Sequence, residues 1–178
     1  MLDQLPGSLV DKTGTLHSTQ QVLKEKKVLA FYFSAHWCPP CRQFTPVLAR
    51  SYEQARQAGL GTGVEIIFVS SDRSEQEMRS YLGESHGNWY ALPHGSGEGQ
   101  TLSGQFGVRG IPALVVVARD GTVISKDGRQ EISSLGQNNY TVLTTARNLN
   151  TFRNVRLLSV GVFSPGRGRH LSRQHVEG

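Results

Sequence analysis

The chain has 178 residues but only two cysteines, Cys38 and Cys41, and what it lacks beyond them narrows its chemistry. A structural zinc site wants four ligands, usually two cysteine pairs or one pair with spaced histidines. Here no second pair exists, and His170 and His175 stand five apart in a tail of disordered composition. No metal is expected, and no other cofactor. A purely structural disulfide is also a poor reading, because so small a ring removes little chain entropy and an otherwise cysteine-free chain looks intracellular. No apolar stretch approaches the about 20 residues of a membrane-spanning helix, so membrane insertion is not expected. Residues 1–6 carry neither a basic region nor an apolar signal segment, so secretion by default is not expected either. No repeat is visible, and the length suits one domain with a tail.

What is present is concentrated in Trp37, Cys38, Pro39, Pro40 and Cys41. Two thiols separated by two residues can close a small disulfide ring and reopen it by exchange with another protein's disulfide, a chemical cycle that needs no cofactor. Residues 28–33 form an unbroken apolar run of strand length, while Phe44, Leu48, Tyr52 and Ala55 recur at helical spacing. A strand therefore runs into a helix whose first turn begins near Cys38. There Cys38 would face unpaired backbone N–H groups and the positive end of the helix dipole, which favour thiolate over thiol. Cys38 is the expected nucleophile and Cys41, inside the helix, the resolving thiol. Pro39 and Pro40 fit a first helical turn and stiffen the ring closure. Trp37 offers a flat apolar surface on which a partner chain can pack, whereas Trp89 reads as a core residue. His36 could add positive charge near the thiol, or be simply exposed.

The remaining pattern is an alternation of strands and helices. A short hairpin is expected at 8–10 with its turn at 11–14, then a weak helix over 19–25. Residues 64–69 read as a buried parallel strand, and 74–82 as a helix capped by Ser74. The spacing predicts a loop over 95–99, a short helix over 100–106, and a closing hairpin from 113–117 and 122–124. Pro46 falls within the helix that follows Cys41, where a kink is expected. Ile111 and Pro112 open the first hairpin strand, and a bond of that type is either trans or cis. Asp72 caps the helix beginning near Glu75 on one reading. The fold class is α/β, a mixed central sheet flanked by helices on both faces.

Residues 33–42, then Phe44, Thr45 and Pro46, residues 67–72, residues 89–93 and residues 107–112 together resemble the nucleoredoxin and tryparedoxin branch of the thioredoxin superfamily. The resemblance covers about residues 8–132, with the motifs in family order, and the paired prolines set this branch apart from ordinary thioredoxins. It implies a thioredoxin fold, a cis bond between Ile111 and Pro112 beside the disulfide, and backbone hydrogen bonds from Ile111 to a bound partner strand. Pro39, Pro40, Ile111 and Pro112 would join Trp37 in binding substrate. The resemblance also implies the alternative for Asp72, that it lines the site. It implies reduction of protein disulfides, or redox-regulated binding of a signalling partner with little turnover. Disulfide-containing client proteins and a separate reductant would be the partners. One departure is Tyr32, which stands six residues before Cys38 where thioredoxins typically carry a buried Asp. A proton acceptor for Cys41 would then come from elsewhere.

Charge divides the chain. Lys and Arg balance Asp and Glu over residues 1–132, while residues 133–178 hold six arginines, no Lys or Asp, and a single acid, Glu177. The expected organisation is a thioredoxin-like domain at 1–132 and an atypical basic segment at 133–178 with the composition of a disordered arm. Nucleic-acid binding is not expected, since that segment has no recognition motif and little aromatic interleaving. The resemblance fades here too, where residues 136–139 interrupt the pattern of a final helix. A dithiol held for exchange suits a reducing compartment, the cytoplasm with the nucleus as the alternative.

Overall fold

A computed structural model describes residues 1–59 and 61–134. From residue 135 onward the basic segment lies outside the described residues. The elements are β1 (Ser8–Val10), β2 (Leu16–Ser18), α1 (Thr19–Val22), β3 (Val28–Ser34), α2 (Pro39–Gln57), β4 (Val64–Ser70), α3 (Glu75–Ser85), β5 (Tyr90–Ala91), α4 (Gly97–Phe106), β6 (Ala113–Ala118), β7 (Val123–Ser125) and α5 (Gly128–Ser134). Seven strands form one sheet in the order β2-β1-β5-β4-β3-β6-β7. β3 pairs in parallel with β4 and antiparallel with β6, so the sheet is mixed, as expected.

All seven residues of β3 are buried, because both faces of the central strand are covered and its side chains alternate between them. Ala30 and Tyr32 point with Ile66 and Phe68 toward α2 and α3, packing on Phe44, Leu48, Tyr52, Met78, Tyr81 and Leu82. Leu29, Phe31 and Phe33 point the other way, against Leu102 and Phe106 of α4. Each such fully buried side chain stabilises the fold by about 1.5–3 kcal/mol. The sheet is thus held from both sides at the strand that delivers the cysteines.

Several elements differ from the sequence reading. Helix α4 begins at Gly97 rather than near residue 100. One of its glycines serves packing: a Cβ on Gly99 would come within 3.2 Å of Val69 Cγ1, so the bare backbone lets α4 settle on β4. Helix α1 is a single turn, shorter than 19–25. β5, only two residues long, and α5 were not foreseen. α5 buries Ile132 against the α2 and α3 face, and it lies so close to β6 that a Cβ on Gly128 would stand 2.9 Å from the Leu114 carbonyl oxygen.

Candidate active site

β3 ends at Ser34, residues 35–37 turn, and Cys38 becomes the N-cap of α2 with Pro39 and Pro40 as the first helical positions. The Cys38 amide donates to the Ala35 carbonyl at 3.2 Å, and its carbonyl accepts from the Arg42 amide at 3.1 Å. Cys38 and Cys41 are joined as a disulfide, with their Cα atoms 5.2 Å apart, inside the range such bonds require. Cys38 is 4 % exposed and Cys41 not at all.

The helix end offers the sulfur fewer donors than the sequence reading assumed. A helix leaves its first N–H groups without intrahelical partners, but here the first two helical positions are prolines, which have none. The Cys38 amide is already engaged. Among the described residues only the Cys41 amide is left over in the first turn, and Cys38 makes no side-chain cap bond to it. The dipole of α2 stays, while direct hydrogen bonding from the helix end is absent.

Ile111 closes the other side. It is half-buried, packs against Ala35, Cys38 and Cys41, and its carbonyl oxygen lies 3.8 Å from Cys38 Sγ. The Ile111–Pro112 bond is cis. Pro112 itself is buried, while Ile111 keeps part of its surface exposed. Pro39 and Pro40 are exposed, and Trp37 is 49 % exposed.

Trp37 is nevertheless held. Its Nε1 donates to the Ser71 carbonyl at 3.0 Å, and the neighbouring His36 amide donates to Asp72 Oδ1 at 2.7 Å. The other Asp72 oxygen accepts from Ser70 Oγ at 2.8 Å. The cap of α3 is Ser74, whose oxygen accepts from the Glu77 amide, so Asp72 ties the loop before Cys38 to the loop after β4 instead of capping that helix. His94, from the β5–α4 connection, donates from Nε2 to the Asp72 carbonyl at 3.0 Å. Arg42 reaches back to the His36 carbonyl at 2.8 Å, and the His36 ring stacks on Tyr81 at 5.3 Å.

Beneath Cys41 lies a buried cluster of hydroxyls from β3, α2 and α3. Tyr32 bonds Thr45 at 2.7 Å, Ser34 reaches Tyr32 at 3.0 Å and Tyr81 at 3.2 Å, and Thr45 meets Tyr81 at 2.5 Å. Thr45 donates to the Cys41 carbonyl at 2.9 Å. Once it does so, Tyr32 and Tyr81 both donate to Thr45, and the Ser34 hydrogen is shared between the two tyrosines. Burial, then the neighbouring Tyr81, pushes the Tyr32 hydroxyl well above its ordinary range. Tyr32 therefore stays neutral at physiological pH, and the cluster fixes the Cys41 backbone without acting as a base. The sequence reading named Tyr32 for its position and Ser34 and Thr45 only within the family motifs, and it did not bring them together. The spacing of Thr45 four residues after Cys41 is the one local signal that pointed to it.

Residues 25–123 match a family model described as thioredoxin-like. The chain belongs to the thioredoxin-like family. Its architecture is the thioredoxin fold, and the chain is 34% identical to the tryparedoxin from Trypanosoma brucei at a TM-score of 0.64, covering 76% of this chain and 93% of that one. Thioredoxin related protein 16 of Carcinoscorpius rotundicauda is 47% identical at a TM-score of 0.66, over 77% of this chain and 94% of that one. Among curated proteins, mouse nucleoredoxin is 40% identical over 129 residues, which are 72% of this chain and 28% of the nucleoredoxin. This thioredoxin-like chain spans about a quarter of the length of the curated relatives it matches. It is thus a thioredoxin-like chain, similar to a tryparedoxin over nearly that protein's whole length and to nucleoredoxins over part of theirs. No helix among the described residues is long and apolar enough to cross a membrane.

Proposed function

We propose that the chain reduces protein disulfides by dithiol–disulfide exchange through Cys38 and Cys41. The observation that carries this reading is the bonded pair at the first turn of α2, flanked by exposed Trp37 and half-buried Ile111. In the reduced chain, the Cys38 thiolate attacks one sulfur of a client disulfide. A mixed disulfide forms, and the client's other sulfur leaves as a thiolate and takes up a proton. Cys41 then attacks Cys38 Sγ, closing the ring, and the second client thiolate departs. With Tyr32 neutral and no carboxylate in its place, the Cys41 proton passes to that departing thiolate. Two electrons have moved from the dithiol to the client, and an external dithiol restores the reduced state. Trp37, Pro39, Pro40 and Ile111 form the surface that meets the client, with Pro112 buried behind it, and His36 and Asp72 hold the adjoining loop. The chemistry suits a reducing compartment, the cytoplasm or the nucleus.

Turnover of insulin disulfides with dithiothreitol tests this reading. The wild-type chain should accelerate the reaction over many cycles and Cys38→Ser should not; a folded wild-type chain that gives no acceleration rejects it. A second reading, redox-controlled association with a signalling partner, draws support from the Carcinoscorpius protein, whose structure was described with a role in regulating transcription factor NF-kB activity. Cys41→Ser separates the two, since a reductase should then accumulate mixed disulfides with many clients and a dedicated binding protein with few.

A further inference from the structure

The connections that surround the disulfide carry three exposed arginines. Arg42 lies in the first turn of α2, Arg73 follows β4, and Arg109 stands two residues before Ile111. His36 and His94 belong to the same set of loops. The position of Arg42 is fixed by its bond to the His36 carbonyl, beside Trp37. None of the three guanidiniums takes part in an ion pair among the described residues.

Three of the acids at this end of the sheet are engaged, while Glu98, in the first turn of α4, has no partner among the described residues. Asp72 is buried, and both its oxygens accept hydrogen bonds from inside the loops. Glu75 pairs with Arg79 at 2.7 Å. Glu77 turns back to the Arg73 amide at 3.0 Å, offsetting part of that residue's charge. Arg42 and Arg109 have no such offset, and they flank Trp37 on one side and Ile111 on the other.

We propose that this face selects client segments that carry Asp or Glu beside their disulfide. The inference deepens the disulfide-exchange reading above and rests on it for the identity of the client bond. An exposed arginine attracts a carboxylate weakly on its own, but several of one sign around a cleft raise both local concentration and encounter rate, by tenfold or more at low salt. Arg also offers a planar fork that matches a carboxylate.

The test uses two peptides with one internal disulfide each, identical except that the residues flanking the cysteines are Glu in one and Lys in the other. Serine-substituted, redox-inert forms of both report binding by calorimetry, independent of turnover. The Glu peptide should bind about tenfold more tightly at low ionic strength, and the ratio should shrink as added salt shortens the screening length. Arg109→Ser should lower the ratio. Equal affinities, or a ratio indifferent to salt, overturn the inference whatever the turnover result. Reduction of uncharged hydroxyethyl disulfide by the wild-type chain reads the exchange chemistry separately: its absence rejects the reductase reading, while the peptide affinities still decide the charge preference.

Discussion

Pro39 and Pro40 act on the nucleophile by what they remove. An N-cap group ordinarily accepts from the amides of the second or third helical residue; Pro40 occupies the second and leaves only Cys41. Pro40→Ala restores one donor toward the Cys38 sulfur. Alkylation of the reduced variant by iodoacetamide at mildly acidic pH should then proceed about three- to tenfold faster than in the wild type, as a hydrogen bond to a charged acceptor warrants. An unchanged rate would mean that the added amide does not reach the sulfur. Elsewhere at this scale, Glu65 is buried on β4 and kept in place by Lys26 at 3.0 Å and the Tyr52 hydroxyl at 3.1 Å. Burial pushes its pKa up, and the Lys26 charge works against that shift.

At the scale of elements, the site depends on three connections fastened to one another. β3 delivers Cys38, the loop after β4 holds the preceding turn through Asp72 and Ser71, and the β5–α4 connection braces that loop through His94. Asp72→Ala frees the His36 amide and loosens the seat of Trp37. In insulin reduction the variant should show a KM several-fold higher with a smaller change in kcat, because the sulfurs stay on their helix while the client surface loses its order. An equal loss in kcat alone would place Asp72 in the chemistry itself. Much of this level was legible in the residues. The apolar run at 28–33 and the helical stripe of Phe44, Leu48 and Tyr52 place the cysteines at a strand–helix junction, and they lie there. The hydroxyl cluster was not legible, because Tyr32, Ser34, Thr45 and Tyr81 come from three elements and meet only when α2 and α3 pack on one sheet face. β5 was missed because two residues carry no periodicity. The first turn of α4 was missed because Gly97 and Gly99 are read as breakers, whereas Gly99 is where α4 approaches β4 closely.

For the whole molecule, His86 makes stability depend on pH. It is 3 % exposed and lies against Phe68, Tyr81 and Trp89. Its Nδ1 accepts from Trp89 Nε1 at 3.1 Å, so Nε2 carries the proton of the neutral ring, and Nε2 has no hydrogen-bond partner. Burial, and then the charge of Lys12, lowers its pKa to about 3 from the ordinary 6.5. Above 6.5 the ring is neutral in both folded and unfolded chains and contributes no pH dependence. As pH falls through 6.5, the unfolded chain takes up a proton that the native state refuses, and stability declines until the native pKa is reached. The loss amounts to roughly 3 kcal/mol by about pH 4. Urea unfolding from neutral pH down to about pH 4 should show a shallower decline for His86→Phe than for the wild type. Parallel curves would place the acid sensitivity in other groups.

The placement of the cysteines at the end of β3 has a consequence for how the molecule opens. β3 sits in the middle of the sheet with every side chain covered, while β2 and β7 form its edges. Opening of a native protein spreads from weakly held borders toward its most enclosed segment. The amides of β3 should accordingly be among the last to exchange with deuterated solvent. The strand that leads to Cys38 and Cys41 is then insulated from fraying at either border, and the geometry of the pair persists through partial openings that would erase a site built on an edge.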